Sequence, residues 1–187
     1  MSMMLRRRMM LMALGKSATP VYQMAQLDAS GWTVRRCTIS FSGTVTTVTV
    51  TSSSTSALKQ AYFLCDPTHK YAVTGIFKKE STTNACVIGM YKPGANGYVD
   101  RLVYPLDTTE DVQIGGLLTP DSTYYGLTIN HATSVVAPAI TIIDKLQVYD
   151  MTLLFGSGNE PTTFAGFETA CASAGIDLTA YHPYVAV

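Results

Sequence analysis

The sequence has few charged residues for its length, and their signs cancel. Only 14% of its 187 residues are Asp, Glu, Lys or Arg, with thirteen of each sign, whereas soluble domains average about 25%. A balanced charge creates no global field that would attract nucleic acid or an anionic membrane. Serine, threonine, glycine and tyrosine take the place of charge. This composition is typical of a β-protein with a hydroxyl-rich surface, and it suits a subunit packed among others.

The spacings that mark metal sites are missing as well. We therefore predict no metal and no cofactor, with cysteines that serve as small core side chains and histidines that form hydrogen bonds at loops and strand ends. A disulfide between two of the cysteines is the alternative. The residues concerned are Cys37, Cys65, Cys86, Cys171, His69, His131 and His182.

Catalytic patterns are equally scarce, and we predict that the protein is not an enzyme. The stretch Gly156-Ser-Gly158 lacks the context of a hydrolase nucleophile. A glycosidase needs two carboxylates that face each other, whereas the acidic residues in the middle of the chain fall in expected turns. These are Asp100, Asp107, Glu110, Asp111 and Asp121. Asp144 and Asp150 are the nearest candidates for a structural calcium, although no loop of the calcium-binding pattern accompanies them.

Short segments rich in β-branched and alternating apolar residues fill the chain from residue 33 to residue 155. Turn residues separate them, and Ser52–Ser56 is an expected loop. Such a series predicts an all-β jelly-roll β-sandwich in which the last strand returns after most of the sheet is built. The expected strands are Thr33–Phe41, Thr44–Thr51, Ala61–Cys65, Tyr71–Phe77, Cys86–Tyr91, Tyr98–Tyr104, Val112–Leu118, Thr123–Asn130 and Ile140–Phe155.

The chain changes direction sharply after the last expected strand. Gly156 and Gly158 tolerate positive φ, so the chain can leave the sheet there. Thr163 is a suitable N-cap for a short C-terminal helix with apolar residues at helical spacing, and Gly175 is a suitable stop. We expect this helix to close the β-domain.

The first thirty residues differ from the rest and predict an N-terminal arm with a linker (1–30) before the β-domain (31–187). The apolar run Met9–Leu14 is at the short limit for a signal peptide and too short to cross a membrane. We expect an unprocessed arm that docks on a partner subunit, because methionine fills irregular grooves and arginine forms planar, bidentate pairs. Packing within the chain, or contact with a membrane surface or nucleic acid, is the alternative. The docking residues are Leu5, Arg6, Arg7, Arg8, Met9, Met10, Leu11, Met12 and Leu14.

The C-terminal stretch also carries a family resemblance. Leu153–Thr163 contains Phe-Gly-Ser-Gly-Asn-Glu-Pro-Thr-Thr, and Tyr-His-Pro-Tyr follows at Tyr181–Tyr184. This sequence motif resembles the end of jelly-roll modules in structural proteins of tailed bacteriophages. The start of the expected strand at His69–Tyr71 looks like the strand entry that is common in carbohydrate-binding-type jelly rolls. Gly166 departs from the pattern, since the family usually has an acidic residue there.

The resemblance implies a virion structural protein that is assembled in the cytoplasm of the host bacterium. A tail-appendage subunit of a fibre or baseplate is the first expectation, with a trimer as the first oligomer by analogy. A capsid decoration or head-fibre protein is the alternative, and a carbohydrate-binding module of a secreted protein is a second one.

Tyrosines near expected turns form the candidate glycan-binding residues. Saccharides stack on aromatic rings, and tyrosine adds a polar end at a low cost in conformational entropy. Packing in the core rim or in subunit interfaces is the alternative role. The candidates for host surface polysaccharide are Tyr91, Tyr98, Tyr104, Tyr124 and Tyr125.

Overall fold

The computed structural model describes most of the β-domain. The described residues are 22–23, 32–51, 56–60, 63–79, 86–91, 100–103, 110–121, 124–131 and 139–180. Side chains are described for residues 36–51, 65–78, 110–113, 115–121 and 139–180.

Strands dominate the described residues, with two helices near the end of the chain. The strands are β1 (Tyr22–Gln23), β2 (Trp32–Arg35), β3 (Cys37–Ser42), β4 (Val45–Val50), β5 (Ser56–Gln60), β6 (Phe63–Leu64), β7 (Tyr71–Lys79), β8 (Cys86–Tyr91), β9 (Asp100–Val103), β10 (Val112–Leu118), β11 (Tyr124–His131) and β12 (Ala139–Asp150). The helices are α1 (Met151–Phe155) and α2 (Phe164–Ala174).

The strands form two antiparallel six-stranded sheets. The first, here the helix-covered sheet, has the order β10-β7-β12-β4-β3, with β1 also paired to β12. The second has the order β2-β5-β11-β8-β9, with β6 also paired to β11. The last strand lies in the middle of the first sheet, between β7 and β4, as a jelly roll requires. The prediction of an all-β jelly-roll sandwich is confirmed.

The predicted single strand over residues 33–41 is wrong, because the chain passes from one sheet to the other at Arg36. Residues before Arg36 pair with β5, and residues after it pair with β4. Arg36 has a φ of 56°, in the left-handed region that side chains seldom adopt. Its carbonyl accepts the N–H of Thr51 at 2.9 Å. The alternation of apolar residues continues through this break, so periodicity alone does not reveal it.

The predicted end of the last strand is also wrong. The strand stops at Asp150, and the next five residues, including the apolar Leu153 and Leu154, form α1. Asp150 causes the change locally, because its carboxylate accepts the N–H of Leu153 at 2.8 Å and caps the helix. A short apolar segment is ambiguous between strand and helix, and here the cap decides between them.

The segment after α1 follows the prediction closely. Gly156 and Gly158 have φ values of 87° and 80°. Thr163 caps α2 by accepting the N–H of Gly166 at 3.0 Å, and Gly175 ends the helix in the left-handed conformation. Two other segments were not expected: residues 56–60 form a strand where the sequence predicted none, and Tyr22–Gln23, within the expected linker, pairs with β12.

Both helices pack on the outer face of the helix-covered sheet. Tyr149 and Phe167 are fully buried there, with ring centroids 5.9 Å apart. Gly115 lets α2 lie close to the sheet, because a Cβ at this position would clash with the Val73 carbonyl and the Phe164 ring. The central strands β7 and β12 are therefore covered on both faces, and residues 146–150 are all buried. Among the described residues, no helix is long and apolar enough to cross a membrane.

Candidate functional site

One cluster of titratable groups lies where β7 begins and β12 passes into α1. We call it the polar corner. Its backbone link is the N–H of Met151, which donates to the carbonyl of Lys70 at 2.8 Å. The members of the polar corner are Asp66, His69, Lys70, Asp150, Thr152 and Glu160.

His69 bridges two carboxylates of the polar corner. Its Nδ1 is 2.7 Å from Asp150 Oδ2, and its Nε2 is 3.7 Å from Asp66 Oδ2. Asp66 Oδ1 also accepts the N–H and the hydroxyl of Thr68, at 2.8 and 2.6 Å. These bonds from Thr68, together with the nearby imidazole, lower the pKa of Asp66. The prediction that His69 forms hydrogen bonds at a strand end is confirmed.

Glu160 is the most enclosed carboxylate of the polar corner, with a side chain only 4% exposed. Its Oε1 accepts the Thr152 hydroxyl at 2.8 Å, and its Oε2 accepts the Gly158 N–H at 2.9 Å. The Lys70 ammonium lies 3.6 Å from Oε2. The backbone N–H of Glu160 itself, the Thr152 hydroxyl and the Lys70 ammonium lower the pKa of Glu160, and they outweigh the opposing effect of burial.

Two neutral side chains, Cys65 and Tyr71, lie beside the polar corner. Burial, and to a smaller extent the Asp150 carboxylate, raise the pKa of Cys65 to about 12, so this thiol is neutral at pH 7. Burial also raises the pKa of Tyr71, whose hydroxyl oxygen accepts the N–H of Asp66 at 2.8 Å. The groups of the corner bind one another and the backbone. The corner therefore joins β7, β12 and the loop after α1.

Sequence reasoning missed Glu160 and Lys70 as members of this cluster. The acidic side chain at Glu160 is enclosed by a glycine turn and a proline, Gly156-Ser-Gly-Asn-Glu-Pro161. Such a glutamate inside a turn is a signal for a side chain that accepts backbone N–H groups. Lys70 gave no local signal, because its partner is 90 positions away along the chain.

A second feature is an open cleft at the C-terminal end of α2, which we call the acidic cleft. Its volume is about 500 Å³. It lies against β10, and Lys145 stands beside it, because the Nζ of Lys145 donates to the Thr179 carbonyl at 2.7 Å. The residues that line it are Gln113, Glu168, Ala172, Gly175, Ile176, Asp177, Leu178 and Thr179. None of these was a sequence-based site residue.

The described backbone brings part of the tyrosine set to neighbouring strand ends. Tyr91 is the last residue of β8, and Tyr124 and Tyr125 are the first two of β11. Tyr91 pairs with Gly126, so these three backbone positions lie together at one end of the second sheet. Tyr98 and Tyr104 lie outside the described residues. The role of the five as glycan-binding residues stays a prediction.

The predictions for the cysteines, for Asp100 and for the N-terminal arm have different outcomes. Cys37, Cys65 and Cys171 are buried, and Cys65 and Cys171 are free thiols, as predicted. Asp100 begins β9 instead of lying in a turn. The docking residues of the arm, from Leu5 to Leu14, lie outside the described residues. Within the described part, no group of three or more His, Cys, Asp or Glu is placed to hold a metal ion.

The calcium candidates have other roles in the described structure. Asp150 binds His69 and caps α1. Asp144 precedes a bulge in β12, with Oδ2 at 3.9 Å from the Lys145 ammonium and Oδ1 buried without a hydrogen-bond partner. The two carboxylates are thus separated by the bulge and engaged with different groups.

Comparison with known proteins supports the architecture. No protein-family profile and no curated protein matches the sequence. Among solved structures, a variant of a family 29 carbohydrate-binding module superposes with a TM-score of 0.52 and 14% identity, over 72% of this chain and 92% of that chain. Another variant, in complex with cellulohexaose, has a TM-score of 0.50 and 15% identity, over 70% and 88% of the two chains. At these identities the likeness establishes the fold, a β-sandwich like that of carbohydrate-binding modules.

Proposed function

We propose that this protein is a non-catalytic glycan-binding module. The observation that carries the proposal is the sandwich it shares with family 29 carbohydrate-binding modules, one of which was solved with cellulohexaose bound. The polar corner supports the non-catalytic part, because its carboxylates are engaged with the backbone, with His69 and with Thr152. Fold likeness alone does not identify a ligand, so the proposal names the class of ligand and a surface to test.

The surface that we propose is the tyrosine-bearing end of the second sheet. Tyr91, Tyr124 and Tyr125 occupy adjoining strand ends in the described backbone. Tyr98 lies in sequence between β8 and β9, two residues before Asp100, which pairs with Met90 beside Tyr91. Tyr104 follows the other end of β9, where Val103 pairs with Ile88, so it is the least favoured of the five candidates. Tyrosines at adjoining strand ends can provide stacking area for the apolar faces of sugar rings.

The first experiment is binding of the full chain to an array of bacterial surface and plant polysaccharides. Tyr98→Ala and Tyr125→Ala should each weaken binding about two- to tenfold, since stacking on one ring is worth about 0.5–1.5 kcal/mol. Both should leave the melting temperature unchanged. The control is Leu153→Ala, which removes an apolar side chain that is 47% exposed on α1. Binding that both tyrosine variants retain in full would contradict the proposed surface.

A virion is the setting that we propose for the module, with tail appendage first and capsid decoration or head fibre second. The resemblance of the C-terminal motif, residues 153–163, to the end of phage jelly rolls supports this setting. Residues of this motif hold the segment between α1 and α2: Glu160 accepts the Gly158 N–H, and Thr163 accepts the Gly166 N–H. The arm, residues 1–30, would dock on another virion protein, with a trimer as the first oligomer to test. A module of a secreted protein is the competing setting, favoured by the fold likeness.

Imaging of intact phage particles that carry a label at Val187 tests the setting. Density at the tail tip or baseplate supports the appendage, and regular density over the head supports the decoration or head fibre. Unlabelled particles would contradict the virion setting and favour the secreted module. Deletion of residues 1–16 should leave a folded protein that no longer joins particles, and normal incorporation would contradict docking by the arm.

A further inference from the structure

The acidic cleft has the volume of a small-ligand site, is open to solvent, and has a lining that is part polar and part apolar. Its volume of about 500 Å³ falls within the range of about 300–1,000 Å³ that is usual for ligand pockets. Ala172, Ile176 and Leu178 form an apolar strip along it, and Leu178 is anchored in the core beneath α2. Its polar groups come from β10, from α2 and from the turn at residues 177–180.

Several hydrogen-bond donors of the cleft are engaged within the protein. Both the N–H and the hydroxyl of Thr179 donate to Asp177 Oδ1, at 2.9 and 2.6 Å. The amide nitrogen of Gln113 donates to the Thr74 hydroxyl oxygen at 3.4 Å, which leaves Gln113 Oε1 as an acceptor. The carboxylates of Glu168 and Asp177 and the Gln113 oxygen are acceptors in this cleft, which favours a ligand that brings hydrogen-bond donors.

The backbone at the end of α2 adds to this polarity. The N–H groups of Gly175 and Ile176 donate to the carbonyls of Ala172 and Cys171, at 3.1 and 2.9 Å. The C-terminal end of a helix carries partial negative charge. The last turn of α2 has no basic side chain to neutralise this charge.

The charges of the cleft favour a cation. Glu168 and Asp177 contribute two carboxylates, and the negative end of α2 lies between them in sequence. Lys145 stands at the rim, where its ammonium is held by the Thr179 carbonyl at 2.7 Å and lies 3.9 Å from Asp144. One lysine thus offsets part of a negative field to which Glu168, Asp177 and the helix end all contribute.

We propose that the acidic cleft binds a glycan that carries free, protonated amino groups. The proposal rests on the glycan-binding function above and names a ligand class for a second site. The ammonium group of an amino sugar would pair with Glu168, its hydroxyls would donate to the acceptors, and its ring would lie on the apolar strip. A neutral sugar fits less well, because none of the residues that line the cleft is aromatic.

The test is calorimetric titration of the full chain with trimers of glucosamine, N-acetylglucosamine and glucose of equal length. The glucosamine trimer should bind at least about tenfold more tightly than the other two, since one close charge pair is worth 1.4 kcal/mol or more. Glu168→Gln should remove that advantage. Asp111→Asn is the control, because it removes one exposed carboxylate that pairs with Lys78, outside the cleft; it should leave binding unchanged.

A second variant tests the cleft without removing any of its own groups. Ala172 is exposed in the last turn of α2, and Ala172→Arg would supply a cation attached to the protein itself. Arginine near a helix C-terminus is stabilising, so the melting temperature should stay level or rise while binding of the glucosamine trimer is lost. Ala165→Arg, at an exposed position in the first turn of the same helix, is the matched control and should bind normally.

Three results would overturn the cleft proposal. The first is binding of the glucosamine trimer that Glu168→Gln and Ala172→Arg leave intact. The second is equal binding of the three trimers; if Tyr125→Ala weakens that binding, the glycan-binding function stands while the cleft proposal fails. The third is a Glu168-dependent affinity for an arginine-rich peptide with none for the amino sugar, which would assign the cleft to a protein partner.

Discussion

The polar corner and the acidic cleft lie at opposite ends of the segment formed by α1, α2 and the following turn, and they use carboxylates in different ways. Glu160 in the corner is 4% exposed on its side chain and is surrounded by donors. Glu168 in the cleft is partly exposed on α2, beside groups that are mostly acceptors. A carboxylate whose acceptor sites are filled stabilises a loop, whereas one that faces an open cleft among other acceptors is available to a cationic ligand.

The largest effect on both sites is expected from a substitution that displaces α2 from the sheet. Gly115→Ala would place a Cβ against the Val73 carbonyl and the Phe164 ring, and overpacking of this kind costs about 3 kcal/mol or more when backbone must move. Urea unfolding should show the loss, and ligand binding at the cleft should weaken because α2 forms one wall. Gly158→Ala is the control: it has space but needs positive φ, so it should cost only about 1–2 kcal/mol.

Glutamine in place of each glutamate tests the comparison directly. Glu160→Gln removes the charge that lies 3.6 Å from the Lys70 ammonium and leaves one oxygen for two donors, the Thr152 hydroxyl and the Gly158 N–H. The hydroxyl can turn to accept the new amide group, whereas the Gly158 N–H cannot. We expect the melting temperature to fall by roughly 5 °C. Glu168→Gln should shift it by about 1 °C or less, as partly exposed surface changes do. Equal shifts in thermal unfolding would remove the distinction between the two carboxylates.

Acid should weaken the polar corner through Glu160. Because its pKa in the folded protein is lowered below the ordinary value of 4.5, its contribution to stability is complete above pH 4.5 and is lost as the pH falls through the folded pKa. Asp66 acts in the same direction, because its pKa is lowered too. The free energy of unfolding should therefore fall more steeply below pH 4.5 in the parent protein than in Glu160→Gln. Parallel curves would contradict this role of Glu160.

The smallest effects come from the two non-glycine residues with positive φ, one near the cleft and one at the crossing between sheets. Arg36 and Lys145 have φ values of 56° and 51°, and glycine would relieve about 1 kcal/mol at each. Arg36→Gly should stabilise the protein by up to that amount, less what the interactions of Arg36 contribute. Lys145→Gly should be close to neutral, because it also loses the bond to the Thr179 carbonyl, worth about 1 kcal/mol. A stabilisation of equal size in both variants would show that this bond contributes little.

Much of the fold was predictable because its signals are local. Alternating β-branched residues identified most strands, and Thr163 and Gly175 marked the ends of α2 where the caps are found. The errors have a common cause. At Arg36 and Asp150 the apolar pattern continues across the break, and the change of sheet or of secondary structure depends on hydrogen bonds to Thr51 and Leu153. β5 was missed because pairing with β11, far along the chain, and not its own sequence decides that it is a strand.

The candidate sites were less predictable than the fold. The sequence by itself determined the all-β class, the turn at Gly156–Gly158 and the C-terminal helix, since each depends on backbone preferences of neighbouring residues. Only the tertiary structure decided that Glu160 meets Lys70, that His69 meets Asp150, and that Gln113 and Glu168 line one cleft. These groups are separated by 90, 81 and 55 positions in the chain, and the pairing of β7, β10 and β12 beneath the helices brings them together.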